Sequence, residues 1–186
     1  MKKAFFVLVF AAISGPAFSL VTVGGYVPFG PSTQKEITGS RNTFSFDPMI
    51  GINTIFPTPF YGQLFLPEFA MVFHGSGTDG YSKRTMAFLF DFGFAYTDKL
   101  IFRYGVGTFL TSISGDGGTT TLPNGSSTRD YTLPSESKTS YNTTLNLGVE
   151  SSINTNYAFR FQTYLFSLLD GEARKFSYSV NVIYYL

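Results

Sequence analysis

Apolar and polar residues alternate with a period of two along most of this chain, most strictly from Lys83 to Thr97. Met86, Phe88, Phe90, Phe92, Phe94 and Tyr96 occupy every second position, with Thr85, Ala87, Leu89, Asp91, Gly93 and Ala95 between them. A strand turns successive side chains to opposite faces, so one face is a ladder of aromatics and the other is small, with one acid. In a soluble sheet the apolar face would be the crowded, inward one. An unbroken aromatic stripe opposite glycine, alanine and an acid points to the inverse arrangement, with lipid outside and a filled polar interior.

The same alternation predicts seven further strands, over residues 20–29, 43–56, 62–74, 100–114, 139–151, 156–166 and 174–186. The second sets Phe44, Phe46, Ile50, Ile52 and Phe56 outward, against Ser45, Asp47, Gly51 and Asn53. The third is apolar on both faces in places, with Glu68 on the inward set. The fifth places Phe102, Tyr104, Val106 and Leu110 outside and Arg103, Gly105, Gly107 and Thr111 inside. Tyr141, Leu145, Leu147 and Val149 oppose Asn142, Thr144, Asn146, Gly148 and Glu150 in the sixth. The seventh sets Tyr157, Phe159, Phe161 and Leu165 against Arg160, Gln162 and Tyr164. In the last, Phe176 to Leu186 alternate with Lys175, Ser177, Ser179 and Asn181.

Short links at 57–61, 98–99 and 152–155 alternate with longer ones, mostly, at 30–42, 75–82, 115–138 and 167–172. An even number of strands joined by short and long connections in turn is the pattern of an outer-membrane barrel. Its short turns and both chain ends would face the periplasm. An open sheet would leave unpaired backbone groups in lipid, so the expected fold is all-β: a closed antiparallel eight-stranded transmembrane barrel.

The N-terminus fits an exported chain. Lys2 and Lys3 precede an apolar run ending at Ile13, and Ala17-Phe18-Ser19 matches a small-x-small cleavage site. Residues 1–19 are therefore expected to be a secretory signal peptide, and 20–186 the barrel domain. Removing the two lysines leaves 11 basic residues (13 minus 2) against 12 acidic, so no basic surface points to nucleic acid. With no cysteine there is no disulfide, thiolate site or lipid attachment point, and stability must come from the ladder and packing.

In architecture the whole mature chain resembles the small eight-stranded bacterial outer-membrane barrels of the OmpA, OmpX and OmpW type. The tail from Ala158-Phe159-Arg160-Phe161-Gln162 through Tyr178 to the end is also similar to the broad outer-membrane β-barrel families. The resemblance implies an outer-membrane location and lipids as the surrounding partner. It also implies handling by periplasmic chaperones and the barrel-assembly machinery. That machinery reads an alternating terminal strand that usually ends in Phe or Tyr, and Leu186 departs from this preference.

Eight strands leave room inside only for side chains. The inward charges Asp47, Glu68, Asp91, Glu150, Arg103, Arg160 and Lys175 are read first as an ion-pair network filling the lumen. The alternative is a selective path for small or apolar solutes in which pairs swap partners. Hairpin register makes Asp91–Arg103 and Glu150–Arg160 expected diagonal partners. No enzyme is expected. His74-Gly75-Ser76 lacks an orienting group and an oxyanion site, and the single His reads as a strand-end residue in the polar interface. One His without Cys supports no metal site, and no Gly-rich loop follows a phosphate-binding pattern, so no cofactor is expected. The Gly-, Thr- and Ser-rich link 115–138 reads as a hydrated cap or as an adhesin-like recognition surface.

Overall fold

The computed structural model describes residues 18–27, 46–58, 60, 62–75, 79–124, 127–168 and 174–186. Eight strands close into one barrel: β1 (Phe18–Val27), β2 (Asp47–Pro57), β3 (Gln63–Phe73), β4 (Tyr81–Thr97), β5 (Leu100–Gly115), β8 (Lys138–Ser152), β9 (Tyr157–Phe166) and β10 (Lys175–Tyr185). Every neighbouring pair is antiparallel, and the order around the wall is β1-β10-β9-β8-β5-β4-β3-β2. The seam runs from Leu20 opposite Tyr185 to Val27 opposite Tyr178, so no strand edge is left within the barrel body.

Two differences from the sequence reading stand out. The link between β5 and β8 carries a two-stranded ribbon, β6 (Thr119–Asn124) and β7 (Ser127–Thr132). Its β-branched threonines on both sides of a Gly-Ser turn sequence favour strand over coil. β1 begins at Phe18, two residues ahead of the expected cleavage point. The rest of the expected signal sequence, Phe29, Phe44 and Ser45 lie outside the described residues.

Alternation organises both faces. Along β4, Phe88, Phe90, Phe92, Phe94 and Tyr96 are between 37% and 67% exposed, while Ala87, Leu89 and Asp91 are fully buried. The outward aromatics pair across strands, as in Phe69–Phe88 at 5.0 Å, Phe65–Phe92 at 5.5 Å and Tyr157–Tyr184 at 5.2 Å between ring centroids. The apolar belt on β10 runs from Phe176 to Tyr184. Its eight residue-to-residue steps cover ~26 Å along a strand, or ~20 Å along the axis of a tilted barrel.

Among the described residues the wall is taller on one side. Thr144 pairs with Phe166, the last residue of β9, yet β8 continues to Lys138 at the other end of the strand, ~20 Å further. β4 and β5 rise with it to Tyr81 and Gly115. Directly after β9, Ser167 adopts a left-handed conformation (φ 53°), which ends the extended backbone of the strand.

Candidate functional site

The interior is built in three layers, each from residues that share the inward parity of their strands. The middle layer is charged. Arg160 on β9 donates through both terminal nitrogens to Glu68 on β3, at 2.6 and 2.7 Å. These strands lie diametrically opposite in the barrel order, so a single bidentate pair spans the bore. Arg103 donates to Glu150 at 2.9 Å and to Asp91 at 3.3 Å, and its guanidinium lies 3.5 Å from Glu68. Asp91 also accepts from Asn146 at 2.9 Å and Gln162 at 2.7 Å, and Glu150 accepts from the Tyr185 hydroxyl at 2.7 Å. The amide and phenol donors spread the one excess negative charge left by three carboxylates and two guanidiniums.

Two glycines make room for the acids. A Cβ on Gly105, directly opposite Asp91, would run into the Asp91 side chain and the Phe90 carbonyl. A Cβ on Gly51 would lie 3.0 Å from Glu68 Oε1. Gly105 requires the smallest residue, since the β4 backbone as well as the carboxylate fills that space, whereas at Gly51 the Glu68 carboxylate would have to shift slightly.

Asp91 and Arg103 stand as the diagonal neighbours inferred from hairpin register. Glu150 and Arg160 require a correction. They are directly opposite one another, not diagonal, and their charged hydrogen bonds go elsewhere, to Arg103 and to Glu68. A directly opposed pair has its Cβ atoms about 5 Å apart, so an extended arginine reaches past its neighbour and over the bore. Lys175 is a second correction. It keeps the inward parity of β10 but lies exposed at the mouth, not within the buried layer.

Toward the long-loop end the bore is closed by aromatic rings. Tyr26 on β1, Phe109 on β5 and Tyr164 and Phe166 on β9 meet with centroids 5.0 to 6.0 Å apart, packed with Met49, Ala70, Val72, Ala87 and Leu89. β1 and β5 are also diametrically opposite, so this layer crosses the whole lumen. At the short-turn end Leu20, Ala158 and Ile183 form a second apolar layer with Ile55 and Tyr185. The charged layer lies between these two apolar clusters. Large aromatics at inward positions were the sequence signal for this plug, but their convergence from separate strands was not legible.

His74 is the third correction. Its side chain is buried and points inward, away from the polar interface. Nδ1 lies 2.7 Å from Asp47 Oδ2 and Nε2 lies 2.7 Å from Thr85 Oγ1, which is 3.0 Å from Thr111 Oγ1. The chain of four side chains links β2, the end of β3, β4 and β5. Its connectivity is that of a hydroxyl, a base and an acid, but Thr85 is buried and shared with Thr111. The flanking β4 backbone pairs with both neighbouring strands. The chain therefore staples the rim. Ser76 lies outside the described residues, and no cluster of metal-ligating side chains occurs among those described.

No family model and no curated protein matches the chain. Among solved structures it is similar to Ail, the attachment invasion locus protein of Yersinia pestis, with 9% identity and a TM-score of 0.48. It is also similar to Neisserial surface protein A, with 10% identity and a TM-score of 0.49. Each similarity covers 91% of this chain and 97% of the other. The barrel itself rests on its own strand pairing.

Proposed function

We propose that this chain spans the bacterial outer membrane as a non-conducting barrel and works as a rigid base for its outer wall and ribbon. The observation that carries the reading is the filled bore. An aromatic layer, a cross-bore ion pair and a second apolar cluster occupy it with buried side chains along the axis. The exposed aromatic belt, the closed ladder and the signal-like pattern of residues 1–19 support placement in lipid. In this reading the short turns and both termini are periplasmic. The charges Asp47, Glu68, Asp91, Arg103, Glu150 and Arg160 then serve structure, not transport. Assembly would use periplasmic chaperones and the barrel-assembly machinery.

Surface recognition through 115–138 is a second reading, favoured by the β6–β7 ribbon that projects from the tall side of the wall. Refolded protein tests the first reading on gels and in planar bilayers. A band that shifts on boiling, with no unit conductance, is the expected result. Steady conductance would overturn this reading. A chain that stays soluble without detergent and shows no shift would overturn the membrane placement.

A further inference from the structure

β8 runs on past its neighbour β9. Thr144 stands opposite Phe166, where β9 ends, and the next residue, Ser167, is left-handed. Residues 138–143 of β8 continue for ~20 Å beyond that point, and all are exposed. On its other side this stretch is paired throughout with residues 108–113 of β5. Its free groups can be named. Successive residues of an antiparallel strand turn their peptide groups to alternate neighbours. At the far end of β8 the Ser152 N–H donates to the Lys99 carbonyl, on the β5 side. The β5–β8 register runs unbroken from there, so even-numbered residues of β8 bond to β5 and odd-numbered ones face β9. Thr139, Tyr141 and Thr143 therefore present three N–H and three C=O groups with no strand beside them among the described residues.

Resting on the reading of a membrane-held base for an outer wall, we infer that this edge binds an extended segment of another protein, which adds a strand to the wall. Donors and acceptors that alternate at strand spacing are matched by the backbone of another strand. Unpaired peptide groups are not tolerated in hydrocarbon, so the edge stands clear of the lipid. It also lacks the usual guards against strand addition. Residues 138–143 include no proline, glycine or acid, and their one charge, Lys138, stands at the end. Tyr141, 72% exposed, shares the outward face with Thr139 and Thr143 and suits a β-branched or aromatic residue on the incoming strand. The link between β9 and β10 is too short to take that place. Arg174 donates to the Leu168 carbonyl at 3.1 Å, and the chain between them can reach only ~10 Å out and back.

The test uses the full barrel, folded in detergent and followed by amide exchange in NMR spectra. The probe is a synthetic peptide with the sequence of residues 108–113, the strand that already pairs with this stretch from the other side. In the free barrel the amides of Thr139, Tyr141 and Thr143 should exchange fast and those of Ser140 and Asn142 slowly, and the peptide should slow the first set. The same peptide with its backbone nitrogens methylated should have no effect. Tyr141→Pro removes one free N–H and no bond to β5, so it should keep the heat-shifted band and weaken peptide binding about tenfold. Tyr141→Thr keeps that N–H and should bind normally. If Tyr141→Pro loses the heat-shifted band, Thr139→Pro, nearer the strand end, takes its place. Slow exchange at the odd-numbered amides of the free barrel would mean that this chain or a second copy already covers the edge, and would overturn the inference. So would binding of the methylated peptide, normal binding by the folded proline variant, or an equal loss in Tyr141→Thr. A folded wild-type barrel that ignores the peptide defeats this inference alone, whereas a chain with no heat-shifted band defeats the barrel reading as well.

Discussion

Single residues here act through the face they occupy. Phe90 sits mid-belt on the exterior and is half exposed, whereas its neighbour Asp91 is fully buried. Phe90→Arg should block insertion into lipid, because an arginine near the bilayer midplane costs about 2–4 kcal/mol on the lipid face. Refolding yield into vesicles measures this, and a normal yield would mean the two faces are reversed. Glu68 is the other sensitive position. Removing it leaves the Arg160 guanidinium buried in the bore without its bidentate acceptor. Glu68→Ala should cost about 3–5 kcal/mol, and Arg160→Met in the same chain should recover much of that loss. Urea unfolding in vesicles gives the coupling, and simple additivity of the two changes would refute the pair.

Elements differ in how much the barrel depends on them. The ribbon's base is closed by backbone hydrogen bonds from Gly117 to Pro134 and from Leu133 to Gly118, at 3.0 and 2.9 Å. Replacing 119–132 by a short turn therefore joins two points already held together. The shortened chain should keep its heat-shifted band, and any attachment that runs through the ribbon should vanish. A failure to fold would show that the ribbon is part of the barrel's stability. The staple of Asp47, His74, Thr85 and Thr111 behaves otherwise, since it ties four consecutive strands at the rim. His74→Ala should loosen the mouth, read as faster amide exchange at the outer ends of β2 to β4 with the turn ends unchanged.

Across the molecule, closure and filling answer one constraint. Eight strands enclose a bore that side chains can fill, and here they fill it in apolar, charged and apolar layers. Tyr26→Ala together with Phe109→Ala would remove the two rings that meet from opposite walls. The wild-type barrel should be silent in planar bilayers. The double variant should stay silent to ions as well, because the cross-bore ion pair and the apolar cluster at the short-turn end remain in place. Current in the double variant alone would place the entire barrier in the aromatic layer.

Strands, their faces and the inside-out character of the barrel were legible in the sequence, because period-two alternation is local and a slip of one residue would invert every face. The eight strands of the sequence reading match the barrel strands closely. Asp91 and Arg103 could also be paired in advance by setting Tyr96 opposite Leu100; Thr97 takes that place, and a bulge between Ala95 and Thr97 keeps Asp91 opposite Gly105. Glu150 and Arg160 could not. Adjacent strands share them, but their partners were chosen by closure, which brings Glu68 to Arg160 across 92 positions of chain. The aromatic plug and the His74 staple likewise depend on strands far apart in the chain or on several strands at once. Local pattern decides which way each side chain points, and only the closed wall decides what it meets there.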